Sequence, residues 1–214
     1  MEIEKFIEHT NVNPNCTKED IIKLVEEAKQ YNFYAVVVLP YYTKMVKELL
    51  ANTNIKVCTV IGFPYGCQTT KAKLTEIKDV FDYIDELDVV MNRAAFKNKD
   101  YDFVSEELKK IVKRSKDKIV KVIVETPELS EEEIKKASEI VLNSKAHFIK
   151  TAVGLKGPTE LKHVEIIKEV VGEKIRIKAS GGIRDYNKAV EFIKRGASRI
   201  GSSASVEIIK GRGG

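Results

Sequence analysis

The sequence has no tryptophan, five prolines, three cysteines and three histidines in 214 residues. Each scarcity closes off a class of protein. Cys16, Cys58 and Cys67 are odd in number and lack metal-type clustering, so they read as free thiols and a cytoplasmic location is expected. His9, His147 and His163 show no metal-ligand spacing. No Walker string and no dinucleotide-binding glycine fingerprint occurs. No apolar run reaches the roughly 18 residues of a membrane span, so none is expected. Glu2, Glu4 and Glu8 stand where a secretory signal would be basic and then apolar, so no signal is expected. Lys and Arg total 37 against 32 Asp and Glu, a net charge of +5 spread along the chain. A nucleic-acid surface would instead gather a basic block with interleaved aromatics. The interspersed charges read as solvated helix faces with Glu/Lys pairs.

What the chain does have is alternation of two patterns. Short β-branched runs at 6–9, 34–39, 56–61, 87–91, 119–125, 147–150, 175–179 and 199–201 alternate with longer amphipathic stretches. One such stretch, 17–30, places Ile21, Ile22, Leu24, Val25 and Ala28 near a 3.6-residue period, with Thr17 and Asp20 as a variant capping box. Ser130 and Glu133 form a standard box ahead of another. Repeated strand–helix units without a linker predict an α/β chain. Its expected form is a (β/α)8 TIM barrel, one domain over 1–214 with a frayed end at 211–214. An open doubly wound sheet is the alternative, but it would usually bring a glycine fingerprint after the first strand.

Strand alternation then sorts side chains by face. Phe148 shares a face with Lys150, Arg176 with Lys178, and Lys121 with Ile123 and Glu125. Charged residues thus point inward on three consecutive strands, at the end where such barrels hold their active sites. Arg176 has no evident role there. A lone strand-end lysine is more often a snorkelling surface residue. Two on neighbouring strands are different. Burial and a neighbouring cation both disfavour a lysine's charge, so one of the pair can become a neutral, nucleophilic amine. A neutral amine attacks a carbonyl to give a Schiff base, which is an electron sink for carbon–carbon cleavage. Lys150 is the candidate nucleophile and Lys178 its cationic neighbour. Asp88, between apolar residues in a strand run, needs a cationic partner and is the candidate proton shuttle. Cys58 reads as a small core residue. Glycine-rich turns follow the last two strands, at Gly181-Gly182 and Gly201-Ser202-Ser203. Exposed N–H groups at such turns hold phosphates.

These strings resemble deoxyribose-phosphate aldolases, a class I, Schiff-base family, over nearly the whole chain. The resemblance is carried by Ile7-Glu8-His9-Thr10, Val57-Cys58-Thr59-Val60-Ile61-Gly62-Phe63-Pro64-Tyr65-Gly66, Leu87-Asp88-Val89-Val90-Met91-Asn92 and Lys121-Val122-Ile123-Val124-Glu125-Thr126. It continues through Phe148-Ile149-Lys150-Thr151, Lys178-Ala179-Ser180-Gly181-Gly182-Ile183-Arg184 and Arg199-Ile200-Gly201-Ser202-Ser203. It implies reversible cleavage of 2-deoxy-D-ribose 5-phosphate to acetaldehyde and glyceraldehyde 3-phosphate, without metal or cofactor. Its members are often dimers. It also implies roles: Lys150 as Schiff-base lysine, Lys178 as the lysine that lowers its pKa, and Asp88 as proton relay. Gly154, Gly181, Gly182, Gly201 and Ser203 would cradle the phosphate. Ala152-Val153 stands where the family favours hydroxyl residues, Glu8 where it favours aspartate, and the end lacks a tyrosine tail. A Schiff-base barrel aldolase for another phosphorylated sugar, or a barrel that only binds sugar phosphates, are the competing readings.

Overall fold

The computed structural model describes residues 2–212. The β-branched runs form eight strands: β1 (Ile7–Asn11), β2 (Ala35–Val38), β3 (Lys56–Ile61), β4 (Glu86–Val90), β5 (Ile119–Ile123), β6 (Phe148–Lys150), β7 (Arg176–Ser180) and β8 (Ala197–Ser202). They pair in parallel and in sequence order, and β8 closes on β1 to make a barrel. The expected barrel is therefore present, and the open sheet is excluded. The helices are α1 (Lys18–Tyr31), α2 (Thr43–Leu49), α3 (Thr70–Val80), α4 (Arg93–Lys97), α5 (Tyr101–Ser115), α6 (Glu131–Asn143), α7 (Leu161–Val171), α8 (Tyr186–Lys194) and α9 (Ser205–Lys210). Among the described residues no helix is long and apolar enough to cross a membrane.

Local chemistry sets the ends. Thr17 accepts from the Asp20 amide while the Asp20 carboxylate accepts from the Thr17 amide, so the variant box starts α1. Ser130 and Glu133 do the same for α6. Asn32, in the left-handed region at φ 52°, stops α1. β3 has the expected ends, and the other strands differ from the expected ends by at most two residues. His147, expected inside β6, lies just before it, yet its amide still donates to the Val120 carbonyl at 3.0 Å. Of the end expected to fray, Gly213 and Gly214 lie outside the described residues. Gly211 and Arg212 form a turn, and Arg212 pairs with Glu4 at 3.0 Å.

Two interiors result from strand alternation. Between strands and helices lies an aliphatic layer that includes Val36, Leu87, Val122, Ile149, Ile177 and Ala179. The barrel lumen is otherwise. Such lumens are usually filled by branched apolar side chains. Here Glu8, Glu86, Asp88, Lys121 and Lys178 are buried within it, beside Cys58 and Phe148. Buried charges persist only when paired and hydrogen-bonded, and this set is paired throughout. Arg176 and Arg199 belong to the N-terminal mouth. The Arg176 guanidinium stacks 4.3 Å from the centre of the Phe148 ring, and that of Arg199 lies 3.6 Å from the centre of Tyr34. Arg176 thus shares the lumen face of Lys178 as expected, but one turn of the pleat lower, in solvent.

Candidate active site

Parallel pairing sets Lys150 on β6 directly beside Lys178 on β7. Both ammonium groups donate to one carboxylate oxygen, Asp88 Oδ2, at 2.7 Å and 2.6 Å. Asp88 arrives from β4, across the lumen. Its other oxygen, Oδ1, accepts from Lys121 on β5 at 3.1 Å. Lys178 makes a second, short bond to Glu8 on β1. Lys121 also reaches Glu86 at 2.5 Å and Glu8 at 3.4 Å. Tyr34 caps the chain by donating to Glu86 at 2.5 Å. The lumen therefore holds three acids and three lysines in one connected array.

The array treats the lysines unequally. Burial pushes the Lys150 amine below its ordinary value; Asp88 opposes that shift, and the neighbouring Lys178 charge reinforces it. Lys178 is as deeply buried, but Asp88 and Glu8 together outweigh that cost and hold its pKa up. Lys121 is held well up against burial by Asp88, Cys58, Glu8 and Glu86. Asp88 is held well below the usual carboxylate range, because Lys121, Lys150 and Lys178 overcome the penalty of burial. Lys150 is thus the lysine most readily converted to a neutral amine. It is also the one that meets solvent: Lys150 lines a cavity of about 1150 Å³ at the C-terminal end of the barrel, whereas Lys178 and Asp88 lie beneath it.

Glu8, Cys58 and Asp88 bring metal-type ligand atoms within 4.8 Å of one another. The space among them is taken by ammonium groups, with Lys121 Nζ 3.4 Å from the Cys58 sulfur and 3.1 Å from Asp88. The cluster is charge-paired by lysine and does not fit a metal. Burial pushes the Cys58 thiol well up, and Asp88 adds to the effect. Cys58 is a core residue, as expected, but its core is the charged barrel lumen.

The five residues expected at a phosphate end all line the same cavity as Lys150. Gly154, Gly181 and Gly182 have φ of 96°, 101° and 70°. A Cβ at Gly182 would come 2.9 Å from Pro158, so two loops approach closely there. Gly201 differs. It is made necessary by Lys178, whose Cε would lie 2.9 Å from an added Cβ. One residue of β8, Ser198, is skipped in the pairing just before this point, a bulge beside Lys178. Ala152 is fully buried, with its Cβ 3.1 Å from where a Gly181 Cβ would lie, while Val153 faces the cavity. The departure from hydroxyl residues therefore touches the cavity at one position, not two.

Residues 4–210 match the family described as DeoC/LacD family aldolase. The chain belongs to the DeoC/LacD aldolase family. A deoxyribose-phosphate aldolase of Caldicellulosiruptor saccharolyticus is 47% identical over 97% of this chain and 97% of its own length. One from Thermococcus gammatolerans is 46% identical over 99% of this chain and 96% of its own. Among solved structures, an aldolase named QR15 superposes with a TM-score of 0.94 at 42% identity, covering 98% of this chain and 95% of its own. A tetrameric deoxyribose phosphate aldolase from Aeropyrum pernix gives 0.91 at 31% identity, over 97% of this chain and 89% of its own. This aldolase thus carries the expected inward lysines and aspartate in one cluster. Sequence reasoning gave no role to Lys121 or Glu86. Lys121 was on the inward face and carried that signal; Glu86 shares the face of Asp88 two residues on, which is the same signal.

Proposed function

We propose that this aldolase cleaves 2-deoxy-D-ribose 5-phosphate reversibly to acetaldehyde and D-glyceraldehyde 3-phosphate through a Schiff base on Lys150. The observation that carries the reading is one cavity lined both by Lys150 and by the glycine turns that follow β6, β7 and β8. In the open-chain sugar the aldehyde carbon C1 would meet the Lys150 amine, with the phosphate on Gly154, Gly181, Gly182, Gly201 and Ser203. Neutral Lys150 attacks C1, and loss of water gives an iminium. The C3 hydroxyl then gives up its proton, the C2–C3 bond breaks, and the electron pair is taken up by the iminium as an enamine. Glyceraldehyde 3-phosphate leaves. Protonation at C2 and addition of water release acetaldehyde and restore the amine.

Asp88 is the proton donor and acceptor beneath Lys150, and burial, reinforced by the Lys178 charge, favours the neutral nucleophile. The shared family, and deoxyribose-phosphate aldolases matched over nearly their whole length, support the substrate. Three free cysteines are consistent with a reducing, cytoplasmic setting. The tetrameric relative supports assembly of this chain with copies of itself.

Incubation with acetaldehyde and borohydride, followed by peptide mapping, tests the reading. A stable two-carbon adduct on the peptide holding Lys150 is expected. Absence of that adduct, or its appearance on Lys178, would remove the proposal.

A further inference from the structure

Glu125 is a buried acid that the reaction above does not use. It follows β5 at the C-terminal end of the barrel, fully buried, with a left-handed backbone at φ 60° and ψ 59°. L side chains seldom adopt that conformation outside positions fixed by their surroundings. Here it turns the carboxylate sideways, onto the loop that follows β6. Glu125 Oε2 accepts from the Val153 amide at 2.7 Å. The next amide, Thr126, donates to the Thr151 carbonyl at 2.8 Å. From the other side, Ser180 Oγ donates to the Ala152 carbonyl at 2.7 Å. Every residue from Thr151 to Val153 is therefore tied by its backbone to a neighbouring strand end.

The ties stop at Val153. Among the described residues, no backbone N–H of Gly154, Leu155, Lys156 or Gly157 has a partner, and the next anchored amide is Thr159, which donates to Gly181 at 3.0 Å. Gly154 and Leu155 line the Lys150 cavity. Free successive N–H groups beside a cavity are a place for anionic oxygens. Their direction is set where the chain leaves the anchored segment, which is the Val153 amide.

We infer that Glu125 is a positioning residue for the phosphate end of the substrate: it holds the Val153 N–H and so aims the free amides of Gly154 and Leu155 into the cavity. This rests on the proposed phosphate end of the site. Glu125 acts through the loop and touches neither the sugar nor Lys150. Its carboxylate has a specific reach, which separates it from a bulk core residue. Aspartate keeps the charge but withdraws the oxygen by one methylene. Glutamine keeps the reach and loses the charge.

The test compares Glu125→Asp and Glu125→Gln with the unaltered enzyme on two sugars, 2-deoxyribose 5-phosphate and 2-deoxyribose. Glu125→Asp should raise KM for the phosphorylated sugar about tenfold, with kcat within about twofold, while Glu125→Gln stays within about threefold on both. The kcat/KM for unphosphorylated sugar and the borohydride trapping of acetaldehyde on Lys150 should be unchanged in both variants. Equal losses on the two sugars, loss of trapping, or a Gln variant as impaired on the phosphorylated sugar as the Asp variant would each overturn the inference. An unaltered enzyme with no preference for the phosphorylated sugar would remove the phosphate reading itself. That result is seen before any variant is made.

Discussion

Lys150 and Lys178 are register partners on adjacent parallel strands, and both donate to the same oxygen of Asp88. Their difference lies in what else they touch. Lys178 has Glu8 as a second acid, whereas Lys150 has the open cavity. One shared carboxylate therefore serves two ammonium groups, and the one with the additional acid keeps its proton. The division of labour is a consequence of neighbours rather than of residue type.

That asymmetry predicts the effect of Lys178→Met. The substitution removes the cation that lowers Lys150 and leaves Asp88 to pair with Lys150 more fully. Both changes raise the Lys150 pKa. The rising limb of kcat/KM against pH should move to higher pH, and each unit of movement costs about tenfold in activity below the limb. A pH–rate profile measures it. An unmoved limb with a simple loss of rate would show that Lys178 does not tune Lys150.

Gly201→Ala probes the same pair by sterics. The new methyl would lie 2.9 Å from Lys178 Cε and 3.1 Å from Ser180 Cβ. Lys178 is a flexible chain, but its ammonium is tied to Glu8 and Asp88, so movement breaks a bond. The expected result is a fall in kcat of at least about tenfold, with a stability loss of roughly 1–3 kcal/mol from overpacking. Steady-state kinetics and a denaturant melt read the two effects separately. A stable variant with full kcat would count against a fixed Lys178.

Much of this was legible before the fold was known, because local rules act on local residues. The capping boxes at Thr17 and Ser130 both form, and alternation placed Phe148, Lys150 and Lys178 in the lumen. What was not legible depends on closure. Glu8 meets Lys178 across 170 residues, only because β8 pairs with β1. The role of Lys121 likewise depends on Asp88 and Glu86 arriving beside it from β4. The place of Arg176 also depends on Phe148, whose ring it meets at the barrel mouth.

Glu86 should govern part of the acid sensitivity of the fold. Its carboxyl is held below the ordinary 4.5, with Lys121 and Tyr34 outweighing burial. A depressed folded-state pKa means stability that is complete above the unfolded value and lost as pH falls through the folded one. Glu86→Gln should therefore destabilise at neutral pH by about 3 kcal/mol, and should flatten the loss of stability on acidification. The flattening is partial, since Asp88 still titrates at lower pH. Urea melts at several pH values between neutral and acid measure it. A variant whose acid dependence parallels that of the unaltered chain would assign the effect elsewhere.

Lys73 and Glu107 form a second buried pair, remote from the lumen. Both side chains are fully buried, 2.8 Å apart, and bridge α3 to α5; Lys73 also donates to the Val90 carbonyl at 3.0 Å. Burial pulls the Lys73 amine down, and Glu107 resists that shift. Breaking one side leaves a buried charge alone, so Glu107→Leu should cost about 3–5 kcal/mol. Lys73→Met removes the same attraction and leaves Glu107 buried without its cation, at similar cost. Lys73→Met with Glu107→Leu leaves no charge behind and should be more stable than either single variant. Thr70, which donates to Glu107 at 3.0 Å, loses its partner in the double variant, so recovery should stop short of the unaltered chain. A double-mutant cycle from denaturant melts measures the coupling. Additive single losses would mean that the two charges stabilise the helices independently, which their mutual 2.8 Å contact argues against.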